Sequence, residues 1–175
     1  MKPHNQIIVR RAPGSDPTSG LMLAGHEIYP CRLGRTGIAA LKRESDGHTP
    51  RGVFPLMLGF YRADRLRPPP TALELLPIAP HDGWCDDPGH PAYNRPVDLP
   101  FAASHERMWR DDGLYDICLV LDHNISSRAR NRGSAIFMHL TGSKPFTQGC
   151  IAVQKDVMLK LLPRLAPGTL VDIRA

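Results

Sequence analysis

The residues best suited to chemistry lie in Ser134–Val153, where ten residues separate His139 from Cys150. Ala135, Phe137 and His139 alternate with Ile136, Met138 and Leu140, the period-2 pattern of a strand. The turn-rich Thr141-Gly-Ser-Lys-Pro145 then lets the chain double back to Thr147-Gln-Gly-Cys150, after which an apolar run restarts. A histidine at a strand end and a cysteine behind a flexible glycine are thus brought towards one another. A free thiol is mostly neutral at pH 7, and a neighbouring imidazole is the usual means of activating it. Gly149 permits close backbone approach, and N–H groups around Gln148–Cys150 suit a developing oxyanion. The plainer alternative is a cysteine packed as a small hydrophobe, with a histidine nearby by accident.

Other stretches carry candidate side chains. Asp82–Arg95 is dense in Trp84, Asp86, Asp87, Tyr93, Asn94 and Arg95, and long loops with such side chains often line binding sites. It reads either as a substrate-side loop overhanging the Cys–His pair or as a self-packed surface loop. Leu114–Leu121, the most apolar strand of the chain, ends in Asp122-His123-Asn124. If it pairs beside Ser134–Leu140, His123 or Asn124 approaches Cys150, which makes His123 the rival base. No set of oxygen or sulfur ligands marks a metal site.

Two motifs together resemble the L,D-transpeptidases, the YkuD-type peptidoglycan cross-linking enzymes. Their catalytic pattern is a His, a variable segment, then Ser/Thr-x-Gly-Cys, matched here by His139 and Thr147–Cys150. Their Gly-x-Thr-Pro-x-Gly-x-Phe pattern is similar to Gly47–Phe54. The resemblance spans roughly Ile7 to Ile173. It implies that Cys150 attacks a stem-peptide carbonyl and forms a thioester, with His139 as acid and base. It also implies that the backbone carbonyl of Leu140 sets the imidazole tautomer, that Thr147 holds the loop, and that no cofactor or metal is needed. The departures are Leu140 where members carry Gly or Ser, Gln148 where they carry His or Asn, and Ile151-Ala152 where they carry Arg or Asn. The segment between His139 and Cys150 is also shorter than usual. These differences keep open an L,D-carboxypeptidase or amidase that uses water, or a non-catalytic wall-binding module.

The elements that must position these residues read as mainly β, a β-rich α+β class. With 175 residues the chain suits one domain (1–175), and 18 prolines with 15 glycines favour many turns over long helices. Gln6–Arg11 reads as a first strand, and Leu21–Ala24 with Glu27–Leu33 as a hairpin around Gly25-His26. Thr49-Pro50 forms an extended corner into the strand Val53–Arg62, with no chemistry expected of either residue. Glu106–Arg110 reads as one helical turn. Gln154–Leu165 carries apolar residues at helical spacing, weakened at Pro163, and Thr169–Ile173 is a last strand. The expected architecture is a β-sandwich or barrel with a helix after the cysteine.

The net charge of +5 comes from scattered arginines rather than a basic stripe, so nucleic acid is not the expected partner. An anionic wall polymer fits as well, and a monomer is expected. The four cysteines are widely spaced, which supports neither a short-spaced zinc site nor a disulfide scaffold. Met1–Val9 lacks the apolar run of a signal peptide, and no stretch approaches a membrane span. The resemblance implies the cell envelope or periplasm; a complete native chain without a leader would instead be cytoplasmic.

Overall fold

The protein is represented by a computed structural model that describes residues 4–175; residues 1–3, which open the segment read for a leader, lie outside it. The N-terminal strands are β1 (Gln6–Arg11), β2 (Ser19–Ala24) and β3 (Glu27–Arg32), the last two forming the hairpin over Gly25-His26. Short β4 (Ile38–Ala39) and β5 (Thr49–Pro50) pair in parallel, and β6 (Gly52–Tyr61) follows. Then come β7 (Leu75–Pro77), β8 (Asp82–Cys85), β9 (Arg95–Asp98) and β10 (His105–Arg107). The chain ends with β11 (Ile117–Leu121), β12 (Phe137–Leu140), β13 (Ile151–Val153), α1 (Lys155–Leu161) and β14 (Leu170–Arg174).

Eight of these strands close into a barrel, in the order β1, β2, β3, β13, β12, β11, β6, β14 and back to β1. The long strand β6 makes closure possible. Its first residues pair with β14, its later ones with β11 across a register shift, and β7 adds alongside. Closure leaves the eight strands no open edge. Of the two architectures expected, the barrel is the one present.

Alternation then sorts side chains into two cores. Leu119, Leu121, Met138, Leu140, Ile151 and Val153 point inward with Ile7, Met22, Val171 and Ile173, and α1 adds Val157, Met158 and Leu161. Cys118, Val120, Phe137 and Cys150 point outward into a second cluster with Trp84, Met108 and Tyr115. That outer layer is roofed by the small antiparallel sheet β10–β8–β9. Every residue of β11, β12 and β13 is buried because both faces of this wall are covered.

Two expectations fail here. Glu106–Arg110 does not make a helical turn, because Glu106 pairs across β10 with Trp84 of β8. The Asp82–Arg95 block is no free loop either: it is the β8–β9 hairpin, with Cys85 opposite Arg95. The helix expected over Gln154–Leu165 is α1 followed by a tight 3-10 turn, Leu162–Arg164, where Pro163 removes a backbone donor.

Candidate active site

Strands β12 and β13 run parallel, with Met138 opposite Ile151 and His139 opposite Ala152. One residue earlier, Cys150 faces Phe137, whose N–H donates to the thiol sulfur at 3.4 Å. Residues two apart on a strand share a face. His139 and Cys150 therefore both leave the outer side of the barrel wall, and both line one cavity of about 310 Å³.

The imidazole is fixed by its own strand. Its Nδ1 lies 2.8 Å from the carbonyl oxygen of Leu140. A carbonyl only accepts, so Nδ1 carries the proton and Nε2 is left as the basic nitrogen. Tyr115 packs edge-on to the ring at 5.3 Å between centroids. Burial brings the imidazole down to about 4, against a smaller upward pull from the Leu140 carbonyl.

The thiol is also held neutral. Burial, joined by the Glu106 carboxylate, pushes Cys150 up to about 12. Its sulfur donates to the Ala135 carbonyl at 3.2 Å. Among the described residues it makes no hydrogen bond to His139. The reason lies in the backbone before β12. Ala135 adopts a left-handed conformation, φ 51°, and its N–H donates to Asn94 Oδ1 at 3.0 Å. That turn aims the Ala135 carbonyl at the sulfur.

The nucleophile loop hangs from two threonines. Thr147 Oγ1 donates to the Cys150 carbonyl at 2.7 Å and accepts the Gly149 N–H at 3.1 Å. Thr49 Oγ1 donates to the same carbonyl at 3.3 Å and accepts the Gly34 N–H at 2.8 Å. Thr49 was expected to mark only a corner, yet it supports the cysteine directly. Gly149 has φ 140°, and a Cβ there would lie 2.9 Å from the His48 carbonyl, so only glycine fits. Its N–H is committed to Thr147, which removes it as an oxyanion donor and leaves those of Gln148 and Cys150. Gln148 is exposed on the cavity rim.

The remaining expected contacts are placed elsewhere. Trp84, Tyr93, Asn94 and Arg95 do not line the cavity of Cys150 and His139. Trp84 is 4% exposed, lies edge-on to Phe137 and donates Nε1–H to Asn94 Oδ1 at 3.0 Å. Asn94 is fully buried and donates to the His123 carbonyl at 3.1 Å, while Tyr93 bonds Glu44. The hairpin thus braces the site from behind instead of overhanging it. Arg95, with Trp84, borders a separate apolar groove. His123 stacks edge-on to Phe54, with Nε2 2.9 Å from the Arg132 carbonyl. Asn124 ties its own loop through bonds to Ala129 and Gly133. Neither residue lines the cavity, so His123 is no rival base.

Over residues 22–173 the sequence matches the L,D-transpeptidase catalytic domain, YkuD. The chain belongs to that family. No curated protein matches it. For a transpeptidase-family domain, the cavity wall holds residues that the sequence reading passed over. Glu106 and Tyr115 face Cys150, and the Tyr115 hydroxyl donates to Glu106. Arg110 lies over the Tyr115 ring at 5.2 Å and is clasped by Asp112 at 3.0 and 2.5 Å. Arg32 and Lys144 stand on the exposed rim. The three polar residues His105–Arg107 carry no alternating pattern, so Glu106 is placed only by the pairing of β10 with β8.

Proposed function

We propose that this protein is a cysteine acyltransferase acting on peptidoglycan stem peptides, forming L,D cross-links through a thioester on Cys150. The observation that carries the reading is the pairing, on one cavity wall, of Cys150 with an imidazole whose Nδ1–H is spoken for by Leu140. His139 Nε2 takes the thiol proton as sulfur attacks the peptide carbonyl, and returns it to the leaving amine. The Gln148 and Cys150 N–H groups receive the oxyanion. With the thiol near 12 and the imidazole near 4, no ion pair pre-exists. Proton transfer is therefore coupled to attack, after the thiol leaves the Ala135 carbonyl.

This reading treats residues 1–175 as one catalytic domain, acting as a monomer without cofactor or metal. It also places the protein in the cell envelope, where its polymer lies. The test is incubation with tetrapeptide muropeptides and mass spectrometry of the products. Dimers joined through diaminopimelate are expected from the wild type and none from Cys150→Ala; absence of any dimer would sink transfer. One observation favours water as acceptor: Ala152 presents only a methyl group to the cavity, near the position where family members carry Arg or Asn. Shortened monomers alone would identify that hydrolase. A Cys150 that resists alkylation near neutral pH would leave only a non-catalytic wall-binding module.

A further inference from the structure

The charges around the cavity are unevenly placed. On the rim, Arg32 and Lys144 are exposed to solvent. Also lining the cavity, the Arg110 guanidinium is occupied by both oxygens of the exposed Asp112. Among the described residues no cation bonds Glu106, although the Arg110 charge acts on it through space. Its carboxylate is held by the neutral hydroxyl of Tyr115, a ring 4% exposed that also contacts His139 and Phe137 edge-on. Among the charged side chains lining the cavity, Glu106 acts most strongly on the Cys150 sulfur. A negative charge beside a nucleophilic cysteine opposes thiolate formation, so it hinders the first half of an acyl transfer. It needs a use in the second half.

We propose that Glu106, positioned by Tyr115, receives the ammonium group of the acceptor and takes its first proton. This inference rests on the acyl-transfer reading of the same site. An amine acceptor enters the second half-reaction as R–NH3+, which cannot attack. Transfer of one proton to the Glu106 carboxylate gives R–NH2, whose lone pair attacks the thioester carbon. The C–N bond forms, the C–S bond breaks, and sulfur leaves as thiolate. The second nitrogen proton passes through His139 Nε2 to that sulfur and restores the thiol. Glu106 then releases its proton to water. The sum is thioester plus R–NH3+ giving amide, thiol and H+, which balances in atoms and charge. Burial raises the Glu106 carboxyl above the usual carboxylate range, which strengthens it as a base towards an ammonium. The geometry gives the two acid–base groups different tasks: His139 serves the sulfur, and Glu106 serves the incoming nitrogen.

Glu106→Gln removes the charge and keeps an acceptor for the Tyr115 hydroxyl. The first arm needs no turnover. Cys150 is labelled with cationic 2-aminoethyl and anionic 2-sulfonatoethyl methanethiosulfonate, followed by intact-mass and peptide analysis. The wild type is expected to favour the cation, and the ratio of rates to fall roughly tenfold or more in Glu106→Gln. In the second arm, muropeptide acyl-enzyme is partitioned between an added amine and water. The amine share of the acyl-enzyme that forms is expected to fall by a similar factor. An unchanged labelling ratio, or an unchanged partition in an acylating enzyme, overturns the role of Glu106 alone. A Cys150 inert to both reagents overturns the acyl-transfer reading and this one with it.

Discussion

At the scale of single residues, the site is set by burial of two groups that would both prefer water when charged. His139 is 5% exposed, and its imidazole falls from 6.5 to about 4 in the folded chain. The linkage follows from that direction. The unfolded chain takes up a proton near pH 6.5 and the folded chain does not, so stability is complete above that pH. It is lost as pH falls towards 4, by about 3 kcal/mol for a shift of this size. His4 and His123 shift in the same direction, so the wild-type profile alone does not isolate His139. The comparison that does is His139→Gln. Urea midpoints measured from pH 7 to 4 should fall less steeply in this variant; equal slopes would remove His139 from the account. The Cys–His pair itself was legible in sequence because strand, turn and Gly-Cys lie within twenty residues. Glu106 and Tyr115 were not, since they reach the cavity only through tertiary pairing of β10 and the approach to β11.

At the scale of elements, the nucleophile loop depends on a corner far away in sequence. The Thr49 hydroxyl joins Gly34 to Cys150, and Gly34 lies so close that a Cβ there would sit 2.1 Å from the Gly47 carbonyl. Thr49→Val keeps the shape and removes both bonds, leaving the Gly34 N–H without its partner and the Cys150 carbonyl held by Thr147 alone. The expected cost is about 1–3 kcal/mol. Because the same carbonyl belongs to the nucleophile, acylation of Cys150 should also slow, roughly ten- to a hundredfold. Thermal unfolding and acyl-enzyme mass spectrometry measure the two effects; a loss of stability with full acylation would make Thr49 a plain corner. The sequence marked this motif by Pro50 and Gly52 but not its partner, because hydroxyl bonds across about a hundred residues leave no local pattern. The β8–β9 hairpin was misread for the opposite reason. Its Trp84 and Asn94 look like ligand contacts, and their polar atoms are instead spent on each other and on Ala135.

At the scale of the whole molecule, the alternation of Ile7, Val9, Met22 and Ala24 announced β strands, while barrel closure depended on pairings no local pattern encodes. The decisive one joins the ends of the chain. Strand β14 sits between β1, parallel to it, and β6, antiparallel to it, with Val171 and Ile173 at 0% and 1% exposure. Without it, two long strands would each present an open edge and the inner core would face water. Burial of those two side chains contributes roughly 3–6 kcal/mol, set against a total stability of about 5–15 kcal/mol for a domain. Its ladder bonds to both neighbours would be lost as well. Ending the chain after Thr169 should therefore abolish cooperative unfolding, although Cys150 lies on the other side of the barrel. The four buried free cysteines provide the measurement. In the full chain Cys31, Cys85 and Cys118 should resist a small alkylating reagent, whereas in the truncated chain all four should react at similar rates. If the truncated protein still melts cooperatively and keeps those three thiols protected, β14 does not close the barrel.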